Sequence, residues 1–261
     1  MVLVLVGALM GLKDELFRVV SGYQSEASRT RLLVEFVSRS AMSEAAHIKN
    51  IYTDVAKHLS GEIVNAPGPN MVLVPSDLLV RLSEPLSSHG DALLSLPDLL
   101  LRMAYVHLIT LFEAALSDVV RASLLHMPKM LKSKRQMSYE DILSESDMSS
   151  LVKKIVEKEI SDLTYGSVEE FVDYLKVKLH LPIEFLPEEI VQLSRCKGLR
   201  NLLVHNQGVV DARFLKERLD TQYAMGDAIV IGLQDWDSAH QLFGRVIKAL
   251  ENSVIRKFRL V

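Results

Sequence analysis

Apolar and polar positions along most of the chain recur with a helical period. From about Leu12 to Leu59 the residues read as helices rich in Ala, Glu, Lys and Arg, with one break expected near Gly22. The texture changes at Glu62-Ile-Val-Asn-Ala-Pro-Gly-Pro-Asn70, and Met71-Val-Leu-Val-Pro75 has the character of a short strand. Residues 61–90 therefore read as an irregular connection. It equally divides an N-terminal helical part, 1–90, from a second helical domain, 91–261.

The longest helical signal runs from Leu96-Pro97 to about His126, with Pro97 suited to a first helical turn. Tyr105, Leu108, Ile109, Phe112, Leu116, Val119 and Val120 form a wide apolar stripe. Further helices are expected near 148–163, 167–179, 187–206 and 211–222, and Ser167 with Glu170 has the pattern of a capping box. Asp227 to Leu233 reads as a short extended segment. A last helix is expected from about Asp235 to Phe258, with Asp235 or Asp237 as a cap and Trp236, Ala239, Phe243, Val246, Leu250 and Val254 turned inward. No internal repeat is found.

Composition narrows the class. Of 261 residues 49% are hydrophobic and 6% aromatic, which excludes a disordered chain and favours helices over packed strands. The formal net charge is −3, so any nucleic-acid site must be local. The single cysteine, Cys196, permits neither an internal disulfide nor a cysteine zinc cage and suits a reducing cytoplasm. Met1 to Met10 is apolar, but ten residues span only about half a membrane and no basic region precedes them. They read as a buried first strand or helix, or as residues before a start at Met10.

Common enzyme signatures are missing: there is no GxGxxG, GxxxxGK[ST], HExxH or GxSxG. No two histidines have the close spacing of a metal pair, and no cofactor is implied. A small-molecule enzyme with 61–90 as a lid has no motif behind it. One segment carries chemistry: Leu199-Arg-Asn-Leu-Leu-Val-His-Asn-Gln-Gly-Val-Val-Asp211. The turn signal Asn206-Gln-Gly208 places His205 in the last turn of its helix, facing the negative end of the helix dipole. An accessible histidine there can exchange protons, and an arginine nearby can hold a phosphate by two contacts.

The spacing of Arg200 and His205 is shared by Arg102 with His107 and by Arg121 with His126. Neither of those arginines is followed by a polar residue, and neither pair ends at an Asn-x-Gly turn, so both read as structural. On a helical wheel Ser194, Gly198, Asn201 and His205 fall within a sector of about 60°, a polar stripe on an otherwise apolar helix. Arg200 lies about 140° from His205, toward the packed side, where an unpaired guanidinium is costly. Glu113, on a polar strip with Thr110, Ser117 and Arg121, is its expected partner. Since Arg200 and His205 diverge on this wheel, two copies of the helix across a two-fold axis would unite Arg and His more readily than one.

Arg200-Asn-Leu-Leu-Val-His205 resembles the R-(polar)-x(3–5)-H signature of HEPN domains, all-helical domains of RNases and toxins. Tyr105 to Asp118, with its Phe112-Glu113 pair, is similar to their long second helix. His205 to Asp211 resembles the HNxGxxD continuation of many members, and Tyr223-Ala-Met-Gly-Asp227 with Ile229-Val-Ile231 and the closing helix matches their C-terminal layout. The likeness covers roughly 95–261 and is nearest to the RiboL-PSP-HEPN subgroup. It implies an all-α, antiparallel HEPN-like bundle, here with an N-terminal helical extension and an irregular insert.

The resemblance further implies a homodimeric endoribonuclease that cleaves RNA without metal, leaving a 2′,3′-cyclic phosphate. In that scheme Arg200 binds the scissile phosphate, His205 is the general acid or base, and Asn201 orients the imidazole or contacts the RNA backbone. Asn206 and Glu113 are supporting residues. Many members act in toxin–antitoxin pairs or antiviral defence, so an antitoxin is an implied partner. Others are inactive scaffolds, some paired with a nucleotidyltransferase, which keeps a non-catalytic dimerisation module open as the alternative. Lys129, Lys132, Lys134 and Arg135 could add phosphate contacts, or form a solvated loop beside the acidic 140–147 segment.

Overall fold

A computed structural model describes residues 2–59, 76–131, 138–217 and 222–259. The regular elements among the described residues are all helical: α1 (Val2–Leu59), α2 (Ser76–His126), a 3-10 turn (Pro128–Met130), α3 (Tyr139–Leu143), α4 (Met148–Tyr165), α5 (Val168–Asp173, continued by a π turn Tyr174–Lys178), α6 (Pro187–His205), α7 (Ala212–Lys216) and α8 (Leu233–Phe258). Among them there is no β-strand, only one antiparallel bridge between Val209 and Ala228. The Asp227 to Leu233 segment thus supplies a bridge residue where an extended segment was expected. The expected strand at Met71 to Pro75 lies outside the described residues.

The first two helices are longer than the sequence pattern predicts. Gly22 does not interrupt α1, because it sits exposed with open space where a side chain would be, and there it only lowers helix propensity. Residues 76–90, expected to be irregular, are the first turns of α2. Pro97 lies inside that helix and not at its start. A proline removes one backbone donor, and the leucine- and alanine-rich stretches on both sides carry the helix through it.

The compact units also divide elsewhere than at residue 90. One unit comprises 1–28 and 105–261, the other 29–104. The reason lies in α1: Leu12, Leu16, Val20, Tyr23 and Ala27 recur at three and four and are all buried. They share the first unit with Tyr105, Leu108, Phe112 and Val119 of α2 and with Trp236, Phe243, Ile247, Leu250 and Val254 of α8. The rings of Phe112 and Phe243 stack with centroids 4.1 Å apart, and His240 lies 5.1 Å from Trp236 and 6.2 Å from Tyr23. Burial pushes the Tyr23 hydroxyl well above the ordinary phenol range.

In the second unit Val34, Ala41, Ala45 and Ile48 are buried on one side of α1, and Gly90 of α2 lies against Ile48. Leu32, Leu33, Phe36, Leu94, Leu99 and Met103 are exposed there. Among the described residues one helical stretch, Ser88–His126, is long and apolar enough to cross a membrane by length and composition; 39% of its most apolar window is buried.

The segments around α6 are tied by local chemistry. Ser167 caps α5: its hydroxyl accepts from Glu170 N at 3.1 Å, while the Glu170 carboxylate accepts from Ser167 N at 2.8 Å. A Cβ at Gly166 would lie 2.6 Å from Glu170 Oε2, so a larger residue at this corner would have to displace the carboxylate of the cap. Asp235 accepts from Gly232 N at 2.9 Å and so braces the start of α8.

Candidate active site

The segment that carries the chemistry forms the end of α6 and the turn after it. Leu193, Cys196, Leu199 and Leu202 are buried and anchor the helix. The turn leaves α6 through Gln207 and Gly208, both in the left-handed region at φ 54° and 77°. Gly208 N donates to Leu202 O at 2.9 Å, and Asn206 Nδ2 donates to Val209 O at 2.6 Å. Val210 is buried and exchanges backbone hydrogen bonds with Gly226 and Asp227. Asp211 then accepts from Phe214 N at 2.8 Å and caps α7. Each polar residue of His205-Asn-Gln-Gly-Val-Val-Asp211 except His205 itself and Gln207 is consumed by this architecture. Asn206 belongs to the turn and borders a smaller hollow of about 350 Å³ beside the main cleft.

The main cleft has a volume of about 720 Å³, and Glu113, Arg200, Asn201 and His205 all line it. Ser194 and Gly198 complete the α6 wall, so the polar stripe of the wheel faces the opening. His205 is exposed and has no hydrogen-bond or ion-pair partner among the described residues. Arg200 does not follow the direction expected from the wheel. Its guanidinium curls back, Nη1 donating to Asn201 Oδ1 at 3.2 Å, while Nε is buried without a partner. The wheel gives only the Cα–Cβ direction, and a side chain with four rotatable bonds reaches beyond it. One chain therefore brings Arg200 and His205 to the same cleft, contrary to the expected divergence.

Glu113 faces the cleft but makes no ion pair with Arg200. Asn201 takes the place expected for it, so the amide holds the arginine and not the imidazole. The opposite wall runs from Thr164 through Gly166 and Ser167 to Glu169, whose Oε1 accepts from Ser194 Oγ at 3.3 Å. Lys197 fastens the two walls: Nζ donates to Gly166 O at 2.6 Å and to Thr164 O at 3.3 Å, capping the end of α4. Arg213 stands on the rim with 80% of its side chain exposed, held by Glu217 Oε1 at 3.1 Å. Lys197 and Arg213 were not singled out from the sequence. Lys197 lies beside the polar stripe on the wheel and was legible there; Arg213 reaches the rim only through the left-handed turn.

Other sequence candidates lie apart from this cleft. Lys129 is exposed in the 3-10 turn and does not line it, and Lys132, Lys134 and Arg135 fall outside the described residues. Arg102 pairs with Asp98 at 2.9 Å, and Arg121 with Asp118 and Glu157. Cys196 is buried next to Tyr105; burial pushes its thiol above the ordinary range, which leaves little thiolate for nucleophilic chemistry. Among the described residues no group of three or more His, Cys, Asp or Glu is placed to hold a metal.

The cleft offers an unengaged imidazole, a guanidinium with free Nη2 and a buried Nε, and a carboxamide; Lys197, bound to two carbonyls, and Arg213, paired with Glu217, add positive charge beside the carboxylates of Glu113 and Glu169. Such a set can hold a phosphate and move a proton near it. No family model, curated protein or solved structure matches the chain.

Proposed function

We propose that the chain is an endoribonuclease of HEPN type that cleaves RNA without a metal ion. The observation that carries this reading is the pairing of an exposed, unpartnered His205 with Arg200 in one cleft. Arg200 holds the scissile phosphate and neutralises charge developing on its oxygens. The ribose 2′-hydroxyl gives up its proton and attacks phosphorus, and the 5′-oxygen leaves with a proton. The products are a 2′,3′-cyclic phosphate and a 5′-hydroxyl end.

In-line displacement needs a base on one side of the phosphorus and an acid on the other. One cleft contains a single histidine, so a second copy would supply the other imidazole. Val204, 46% exposed beside His205, and Val191, 59% exposed on the same helix, are apolar residues that such a homodimer would cover. The same exposed valines favour the second reading, a non-catalytic HEPN-like dimerisation module. In either role the molecule would be a helical bundle of the cytoplasm. As an RNase it would be a toxin or antiviral defence effector, restrained by an antitoxin or a nucleotidyltransferase partner.

The test is incubation of total RNA or tRNA with the full chain and with His205→Ala, with and without EDTA, followed by end-group analysis. EDTA-resistant cleavage ending in cyclic phosphates, lost in His205→Ala, supports catalysis. Equal activity in both proteins, or none in either, leaves the dimerisation module.

A further inference from the structure

Next to the Arg200–His205 cleft, and sharing Glu113, Thr164, Ser167 and Lys197 with it, lies a second, apolar crevice. Its volume of about 70 Å³ is room for roughly five water molecules, the bulk of one flat nucleobase and not of a whole nucleoside. Phe112 and Phe243, stacked and buried, line it from the core, and the half-buried rings of Phe171 and Phe185 add aromatic wall.

The polar groups on its wall are unequally engaged. Thr164 Oγ1 donates to Ile160 O, Ser167 Oγ accepts from Glu170 N, and Lys197 is bound to two carbonyls. Glu113 and Ser117, one turn apart on α2, have no partner among the described residues. They are a carboxylate that only accepts and a hydroxyl that can donate.

Resting on the RNase reading of the cleft, we propose that this crevice binds the base of a nucleotide next to the scissile phosphate, and that Glu113 and Ser117 select guanine. Guanine presents along one edge an acceptor, O6, then two neighbouring donors, N1–H and the N2 amino group. Glu113 matches the two donors, and Ser117 matches O6. Adenine and cytosine each set a donor next to an acceptor, and uracil offers one N–H between two carbonyls. None of them satisfies a carboxylate at both oxygens. Single-stranded RNA is recognised in this manner, by aromatic contact with the base and hydrogen bonds to its Watson–Crick edge. The crevice shares five residues with the cleft, Val168 besides the four polar ones, so a base held there keeps its own phosphate within the reach of a nucleotide from Arg200.

The experiment is titration calorimetry of the full chain with the 3′-monophosphates of guanosine, inosine, adenosine, cytidine and uridine. Guanosine monophosphate is expected to bind about tenfold or more tighter than the adenosine, cytidine and uridine compounds, as a charge-assisted pair predicts. Inosine, which lacks the N2 amino group, falls between. In Glu113→Gln the guanosine preference shrinks to about twofold, because an amide cannot accept from both donors. Ser117→Leu, which fills the crevice from its wall, weakens all five ligands. Equal binding of the five, no binding of any, or a guanosine preference that survives Glu113→Gln overturns the assignment. The wild-type comparison decides even if a variant fails to fold. RNA cleavage without base preference at the cut would remove this inference and leave the RNase reading. Guanosine binding without cleavage would do the reverse.

Discussion

Two helices of this molecule end in the same way and do different things. Both α2 and α6 have a histidine as their last residue and an arginine five positions earlier, Arg121 with His126 and Arg200 with His205. At the end of α2 every group is engaged. Arg121 holds Glu157 through Nε at 2.6 Å and Nη2 at 3.1 Å, and also Asp118. His126 Nδ1 lies 2.9 Å from Ala122 O, and the ring stands 3.9 Å from Glu15. At the end of α6 the arginine has one neutral partner, Asn201, and the histidine has none among the described residues. The motif is the same; its neighbours decide whether the groups are structural or available. An arginine paired with two carboxylates has little attraction left for a phosphate, whereas one held by a neutral amide retains its charge for a ligand.

The contrast is sharpest at the histidines. His205→Ala is expected to lower RNA cleavage by about 10²–10⁴-fold, the range of a lost general acid or base. His126→Ala should keep cleavage within about twofold of wild type. A loss of comparable size in both variants, measured by initial rates on one RNA, would break the comparison.

The arginines come next. Arg200→Ala is expected to reduce cleavage by about 10²–10³-fold, as for loss of a group that stabilises developing charge, with little change in thermal midpoint. Arg121→Ala should do the opposite: cleavage persists, and stability drops by about 1 kcal/mol at most, since its ion pairs are partly exposed. Thermal unfolding of both variants alongside the cleavage assay gives the answer.

Arg213 extends the contrast to the rim. Arg213→Ala should weaken RNA binding to the His205→Ala chain several-fold and reduce the slope of affinity against salt by about one ion. An unchanged slope would place Arg213 outside the RNA path.

The smallest effect concerns pH. Hydrogen bonding from Arg121, ahead of its charge, holds the Glu157 carboxyl below the usual carboxylate range. The folded chain then binds fewer protons here than the unfolded chain. The stability this pair contributes is full above the ordinary Glu value of about 4.3 and is lost as pH falls through the lowered one. Glu157→Gln should accordingly flatten the acid limb of the stability profile by a fraction of a kcal/mol, because Glu157 is half exposed. An acid limb of unchanged steepness would mean that the pair contributes nothing.

Much of this was legible in the linear chain wherever a feature depends on near neighbours. The closing helix, expected from Asp235 to Phe258, runs from Leu233 to Phe258, and the Ser167–Glu170 box forms as written. The polar stripe Ser194, Gly198, Asn201 and His205 does face a cleft. Legibility failed where a local signal was outweighed or where distance along the chain was large. Pro97 looked like a helix start because proline favours that position, yet the residues before it sustain a helix of their own. The boundary at 90 missed that residues 12–27 bury their stripe in the same unit as α8.

The residues by themselves determined that this chain is helical, which faces its helices bury, and that His205 ends one of them at a left-handed turn. These follow from periodicity, caps and turn chemistry, which act over three or four residues. Only the tertiary structure decided that Arg200 bends to Asn201 and not to Glu113, that Lys197 ties α6 to the end of α4, and that Arg213 and Glu113 stand at the same opening as His205. Those outcomes depend on which side chains from distant segments compete for one guanidinium or carbonyl, and on the space left between them. Neither is encoded by spacing along a single helix.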